Sequence, residues 1–296
     1  MAVSWAKRVL GVTASEIPKI MGLDAFEGPE ACWEKKLHAR LGELQHFDLS
    51  EDIERGNALE GAIREWVSKR IGLEIKTSTT YDRVVDGLHC IASPDGEIED
   101  DRLLEIKCPR FGNYAREGYI AQIQWQLFVC QRSSALLAVF ADGVLELYPI
   151  FADREMQDAL LKAASDWWLC VLTGQRPPPR GSQSTNWLKA NLEQSEDQFA
   201  ESESVADAAR RYHEASALFK EAEDRKATAA AELQSVIAEH KGVTGSWGKA
   251  TWSTVKTSKT DWEAVARKLG ATDEDVAPFV KQASHRRLTV KLKGEK

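Results

Sequence analysis

The chain has few of the features that would make its chemistry obvious. Five cysteines in 296 residues, Cys32, Cys90, Cys108, Cys130 and Cys170, are scattered and never spaced as CxxC, which argues against a disulfide framework, a zinc site or an iron–sulfur cluster. The six histidines show no ligand spacing. No stretch approaches the roughly 20 apolar residues of a membrane span, and the opening "MAVSWAKRVLGVTASE" lacks a leader's apolar run, so a cytoplasmic protein is expected. No repeat of fixed period is present. A hydrophobic fraction of 43% supports a real core.

Net charge is -7, but its distribution is uneven. Lys241 to Lys296 holds twelve Lys and Arg against six Asp and Glu, whereas Lys189 to His240 holds six against twelve. A basic tail therefore follows an acidic segment.

Prolines cluster in "TGQRPPPRGSQST", Thr173 to Thr185, which can neither continue a helix nor join a sheet interior. This divides the chain into domains at 1–176 and 187–296, with a linker at 177–186. The first part alternates: a helix from about Ser15, a long helix from about Ser50 to Arg70, strands from Glu74 to Lys107, a helix from Gly118, strands near Ala135–Phe140 and Val144–Ile150, and a helix to Val171. That order predicts an α/β fold with a sheet flanked by helices. The second part predicts a long helix over Ala206–His240 with a thin apolar stripe (Ala215, Leu218, Ala222, Ala229, Leu233, Val236, Ile237) suited to coiled-coil packing. A small α+β module follows, with a strand pair in "GSWGKATWSTVKTS", a helix in "TDWEAVARKLG" and a strand in "HRRLTVKLK".

The stretch most suggestive of chemistry is "SPDGEIEDDRLLEIKCP", Ser93 to Pro109. A hairpin with a loop at Asp100, Asp101 and Arg102 would pair Glu97 with Glu105 and Asp95 with Lys107. Ile98, Leu104 and Ile106 then share one face, and Asp95, Glu97, Glu105 and Lys107 the other. Three carboxylates on a small face invite a hard divalent cation, Mg²⁺ or Mn²⁺, and the lysine could polarise an attacking water or offset charge on a phosphate. A solvated surface hairpin is the competing reading.

With "RVLGVTAS" (Arg8–Ser15), "RGNALE" (Arg55–Glu60) and "YIAQIQWQLFV" (Tyr119–Val129), in this order over roughly the first 170 residues, the stretch resembles the lambda exonuclease and YqaJ recombinase family of the PD-(D/E)xK nucleases. The resemblance implies a restriction-endonuclease-like mixed sheet, with Asp95, Glu105 and Glu60 as metal ligands, Lys107 as catalytic lysine and Gln122 as the helix-borne glutamine. It implies that Arg8 and Ser15 grip a 5′-phosphate. By their residues alone, Glu60 would flank the apolar helix face of Leu59, Ile63 and Val67, and Ser15 would be a helix N-cap. Gln122 and Gln124, two apart on a helix, point to different sides.

The implied activity is a Mg²⁺-dependent 5′-to-3′ exonuclease of phage-type recombination, with Mn²⁺ able to substitute. It would act on double-stranded DNA ends by two-metal-ion hydrolysis and leave 3′ overhangs. A single-strand annealing protein as partner, a trimeric homo-oligomer and a phage or prophage origin in a bacterial cytoplasm come with the same resemblance. An endonuclease of the same fold and a non-catalytic DNA-binding or assembly protein are the alternatives. Trp167 and Trp168 are expected to be packing residues, as is Cys108. Lys249, Lys256, Lys259, Arg286 and Arg287, interleaved with Trp247 and Trp252, fit a DNA-contacting surface, an oligomerisation module or a plain cap alike.

Overall fold

A computed structural model describes residues 5–43, 51–109, 116–192, 205–246, 248–254 and 261–277. The chain forms two compact units, Met1–Glu193 and Gln194–Lys296.

The first unit opens with α1 (Trp5–Arg8), β1 (Gly11–Thr13), a 3₁₀ turn (Ala14–Glu16), α2 (Ile17–Ile20), α3 (Pro29–Arg40) and α4 (Glu51–Ile71). Strands β2 (Ile75–Lys76), β3 (Tyr81–Val85), β4 (Leu88–Ala92), β5 (Gly96–Ile98) and β6 (Leu103–Lys107) follow, then α5 (Arg116–Cys130), β7 (Ser134–Ala141), β8 (Val144–Phe151), α6 (Arg154–Thr173) and α7 (Gly181–Asn191). The hairpins β3–β4 and β7–β8 turn on Asp86-Gly87 and Asp142-Gly143, with all four residues at positive φ, the backbone that two-residue hairpin turns require.

Five strands form a mixed sheet in the order β2-β5-β6-β7-β8, in which only β6 and β7 run parallel. A parallel pair needs a crossover, and α5 supplies it. Alternation along β6 and β7 then fills two cores. Leu103, Leu137 and Val139 face α5 and α6, where Ile123, Leu127, Leu160 and Trp167 are buried, whereas Leu104, Ile106, Leu136 and Ala138 face Ile63 and Val67 of α4. The expected mixed sheet between helices is present. A second, three-stranded sheet, β1-β4-β3, stands beside it, with Val12 and Cys90 aligned in a parallel pair. Gly11 permits this approach: a Cβ there would lie 2.0 Å from the His89 carbonyl oxygen.

The boundary falls later than the proline cluster. The helix α6 does end there, with Gly174 at φ 70°, but the segment expected to be a linker contains the start of α7, which docks on α3. Ser184 Oγ donates to Glu30 Oε2 at 2.7 Å, and Trp187 Nε1 donates to Glu34 Oε2 at 3.1 Å. The small polar residues that read as linker are therefore a helix start with buried partners. Trp167 and Trp168 are both buried, Trp167 donating to the Pro29 carbonyl.

The second unit contains α8 (Ala206–Ile237), a hairpin of β9 (Gly242–Gly245) and β10 (Gly248–Thr251), α9 (Trp262–Lys268) and α10 (Asp273–Val276). The long helix and strand pair match expectation. The expected last strand, with Arg286 and Arg287, lies outside the described residues, as do Trp247, Lys256 and Lys259; Lys249 and Trp252 are exposed. Among the described residues no helix is long and apolar enough to cross a membrane.

Candidate active site

The turn between β5 and β6 sets the sidedness of the site. Ile98 N–H donates to the Arg102 carbonyl and Asp101 N–H to that of Ile98, with Asp101 at φ 73° and Arg102 Nε donating to Asp100 Oδ2 at 2.7 Å. The loop is thus Glu99–Asp101, one residue earlier than expected. The pairing moves by two: Glu97 faces Leu103, not Glu105. A shift of two preserves the faces. Ile98, Leu104 and Ile106 still share the apolar side, and Glu105 and Lys107 point toward α5. Glu97, however, accepts from Ser78 Oγ and Tyr81 Oη, each at 2.8 Å, and lies away from the site residues. Burial would raise its pKa, but these donors and the Arg132 charge outweigh it and hold the carboxyl below the usual range.

Glu105 is nearly fully buried and held on every side. Gln122 Nε2 donates to Oε1 at 2.6 Å, Gln126 Nε2 to Oε2 at 2.7 Å, and Lys107 Nζ lies 2.7 Å from Oε1. Lys107 also donates to Gln122 Oε1 at 2.8 Å and sits over the Tyr119 ring. Gln122 is thereby brought to the site. Gln126 belongs with it, one turn further on the same face of α5, and the i, i+4 spacing was the signal that could have found it. Gln124 faces away, donating to the Phe151 carbonyl and accepting from Asp153 N–H.

Asp95 follows Pro94 in the turn leaving β4, where its Oδ2 accepts from Ile106 N–H at 2.6 Å. Burial, and then the charge of Glu105, push its carboxyl up to about 8, against the opposing effect of Lys107. Burial alone would lower the Lys107 ammonium, but the charges of Glu105 and Asp95 outweigh it and raise it. Two crowded carboxylates beside one ammonium form an anionic centre with hard oxygen donors, which suits a divalent cation. Glu60 lines the same cleft and adds to the rise of Asp95, but its carboxylate pairs with Arg64, whose Nε donates to the Asp95 carbonyl. Among the described residues no group of three or more His, Cys, Asp or Glu side chains stands close enough to hold a metal ion. The set that fits a cation here is Asp95 with Glu105; Glu60 is engaged by Arg64.

The cleft, about 190 Å³, brings together Arg8, Ser15, Glu60, Asp95 and Gln122, five of the seven residues singled out in the sequence, along with Thr13, Asn57 and Gln126. Ser15 is not the helix cap. Thr13 holds that position, its N–H donating to Glu16 Oε2 at 2.8 Å, while the Ser15 hydroxyl lies 3.3 Å from Thr13 Oγ1 and lines the cleft. A second hollow, about 90 Å³, shares Arg8 and Ser15 and is lined also by Lys19 and Lys35.

Lys36, on α3, was not legible as a site residue. It is buried, donates to the Arg8 and Gly11 carbonyls and lies 2.7 Å from Glu16 Oε1, fixing the segment that carries Arg8 and Ser15. Lys36→Met leaves these acceptors without their donor, and an equilibrium denaturation series is expected to show a loss of about 3–5 kcal/mol. Cys32 lines the second hollow, and Cys90, Cys108 and Cys130 line neither. Burial pushes the Cys90 and Cys130 thiols up to about 12 and raises Cys108, which keeps them protonated and unreactive.

Residues 5–133, which hold all of these groups, match the family model of the YqaJ-like viral recombinase domain. This part of the chain is similar to that family. No curated protein matches the sequence. Among solved structures, the alkaline exonuclease LHK-Exo from Laribacter hongkongensis superposes with a TM-score of 0.50 at 23% identity, over 57% of this chain and 92% of that one. Its complex with dAMP gives the same score at 22% identity and the same coverage. A phage related exonuclease from Haemophilus somnus 129PT scores 0.45 at 16% identity, covering 57% of this chain and 99% of that one. At these identities the LHK-Exo likeness establishes the fold.

Proposed function

We propose that the first unit is a Mg²⁺-dependent 5′-to-3′ exonuclease of double-stranded DNA that leaves 3′ overhangs in phage-type recombination. The observation that carries this reading is the pairing of half-buried Asp95 with buried Glu105 and Lys107 beside them, at a cleft that Arg8 and Ser15 also line. The match of residues 5–133 to the viral recombinase family model, and exonuclease structures of the same fold, one holding a deoxynucleoside monophosphate, agree with it.

Asp95 and Glu105 would hold the cation, Mg²⁺ or in its place Mn²⁺, and Glu60, if released from Arg64, would extend the set. When bound, the cation supplies charge neutralisation at the phosphodiester and lowers the pKa of a bound water. The rest follows from the chain's own groups. Gln122 and Gln126 fix both oxygens of Glu105, so the carboxylate does not swing when its environment changes. Lys107, its ammonium kept charged by two carboxylates, can orient the attacking water and offset charge developing on the phosphate. Arg8 and Ser15 would hold the terminal 5′-phosphate, with Lys19 and Lys35 adding positive charge in the adjoining hollow.

An end anchor of this kind makes cleavage depend on the terminus. In initial-rate assays on linear duplexes, wild type is expected to prefer 5′-phosphorylated over 5′-hydroxyl ends. The double variant Arg8→Ala, Ser15→Ala should lose about tenfold or more of that preference while still cutting slowly. Equal preference in the two proteins would remove these residues from the anchor.

A further inference from the structure

The helix α8 spans 32 residues, about 48 Å of helix, and its surface is almost wholly exposed. Within it runs an unbroken 4-3 repeat: Ala208, Tyr212, Ala215, Phe219, Ala222, Lys226, Ala229, Leu233 and Val236. All nine lie in exposed positions, Phe219 at 65% and Val236 at 67%. Such spacing is the seam of a coiled coil. The seam is also sorted by size, with Tyr212, Phe219, Lys226 and Leu233 at one position of the heptad and four alanines and a valine at the other.

We propose that this face pairs with α8 of a second copy of the chain, and that the two helices run antiparallel. Large and small positions decide the direction. In a parallel pair each layer is made of identical residues, so Phe219 meets Phe219, Ala222 meets Ala222 and Lys226 meets Lys226. Overfilled layers then alternate with empty ones, and two ammonium groups are forced together. In an antiparallel pair centred between Lys220 and Glu221, every large residue meets an alanine: Tyr212 on Ala229, Phe219 on Ala222, Lys226 on Ala215 and Leu233 on Ala208. Charge agrees. Flanking the seam, Arg211 of one copy lies within a turn of Glu232 of the other, twice by symmetry, and Lys226 comes beside Glu214. A parallel pair would set Arg211 against Ser216 and Arg225 against Ala230, with no ion pair gained. This contact is separate from any assembly of the first unit.

The test is the mass of the full chain in solution by sedimentation equilibrium, for wild type and for Phe219→Glu with Leu233→Glu. Both substitutions are at exposed positions, so the folded chain should persist. The wild-type mass is expected to be at least twice that of the variant, whatever number of chains the first unit brings together. Equal masses overturn the proposal and leave the face to a different partner or to none. Direction is tested by charge exchange: Arg211→Glu should weaken association several-fold, and adding Glu232→Arg should restore it. In a parallel pair these residues are about 30 Å apart along the axis, so absence of rescue overturns the antiparallel arrangement. Lys226→Leu should tighten association, because it removes the one charged residue from the seam.

Discussion

Lys107→Ala is expected to lower Mg²⁺-dependent cleavage by on the order of 10³-fold, the scale on which enzymes lose rate when one group aimed at developing charge is removed. Neither the fold nor cation binding should fail with it. Glu105 keeps two of its three partners, Gln122 and Gln126, and the Leu104 and Ile106 side chains of the same strand remain packed on α4. Removing an ammonium from beside two carboxylates makes the centre more negative, so it should bind Mg²⁺ at least as well. The loss is therefore expected in the single-turnover rate at saturating Mg²⁺, with the Mg²⁺ midpoint unchanged or lower. A rate within tenfold of wild type would mean that Lys107 serves only to neutralise Glu105.

Asp95→Asn should have two opposite effects, abolishing cleavage while stabilising the metal-free protein. The Asp95 carboxyl titrates near 8 in the folded chain, against an ordinary value of 3.8, so the folded state binds its proton more tightly than the unfolded state does. Stability of the metal-free protein must then fall as pH rises from about 4 toward 8, and the cost is complete above that. Asparagine cannot ionise but can still accept the Ile106 N–H bond. In urea unfolding with EDTA the variant should exceed wild type by about 2–5 kcal/mol at pH 9, with the difference vanishing near pH 4. Added Mg²⁺ should raise the wild type and leave the variant unmoved. Parallel pH profiles for the two proteins would show that Asp95 is not the strained carboxylate.

Local signals in the sequence carried much of the fold, and long-range pairings were where it failed. The strands near Ala135–Phe140 and Val144–Ile150 and the long helix from Ala206 rest on short-range patterns, and each is found where the pattern places it. The β5–β6 pairing slipped because the turn uses Asp101, not Arg102, at the end of its loop, a choice set by the left-handed backbone and the Asp100–Arg102 contact. The faces survived, since a shift of two does not invert side chains. Gln126 was legible in principle from helical spacing. Lys36 was not, because its partners are carbonyls of Arg8 and Gly11, 25 or more residues away. The parallel pairing of Val12 with Cys90 has no local signature at all. The engagement of Glu60 by Arg64 is an ordinary i, i+4 pair, visible on the helix once a metal role is set aside.

The most direct test of the central claim is digestion of duplex DNA by the full chain with Mg²⁺ or with EDTA, comparing a linear 5′-phosphorylated molecule labelled at either end with a covalently closed circle. The expected result is release of 5′-mononucleotides from the phosphorylated termini of the linear molecule, dependent on Mg²⁺, with the circle intact. Cutting of the circle at the same rate would contradict the exonuclease reading in favour of an endonuclease, and binding of DNA without any cutting would contradict catalysis itself.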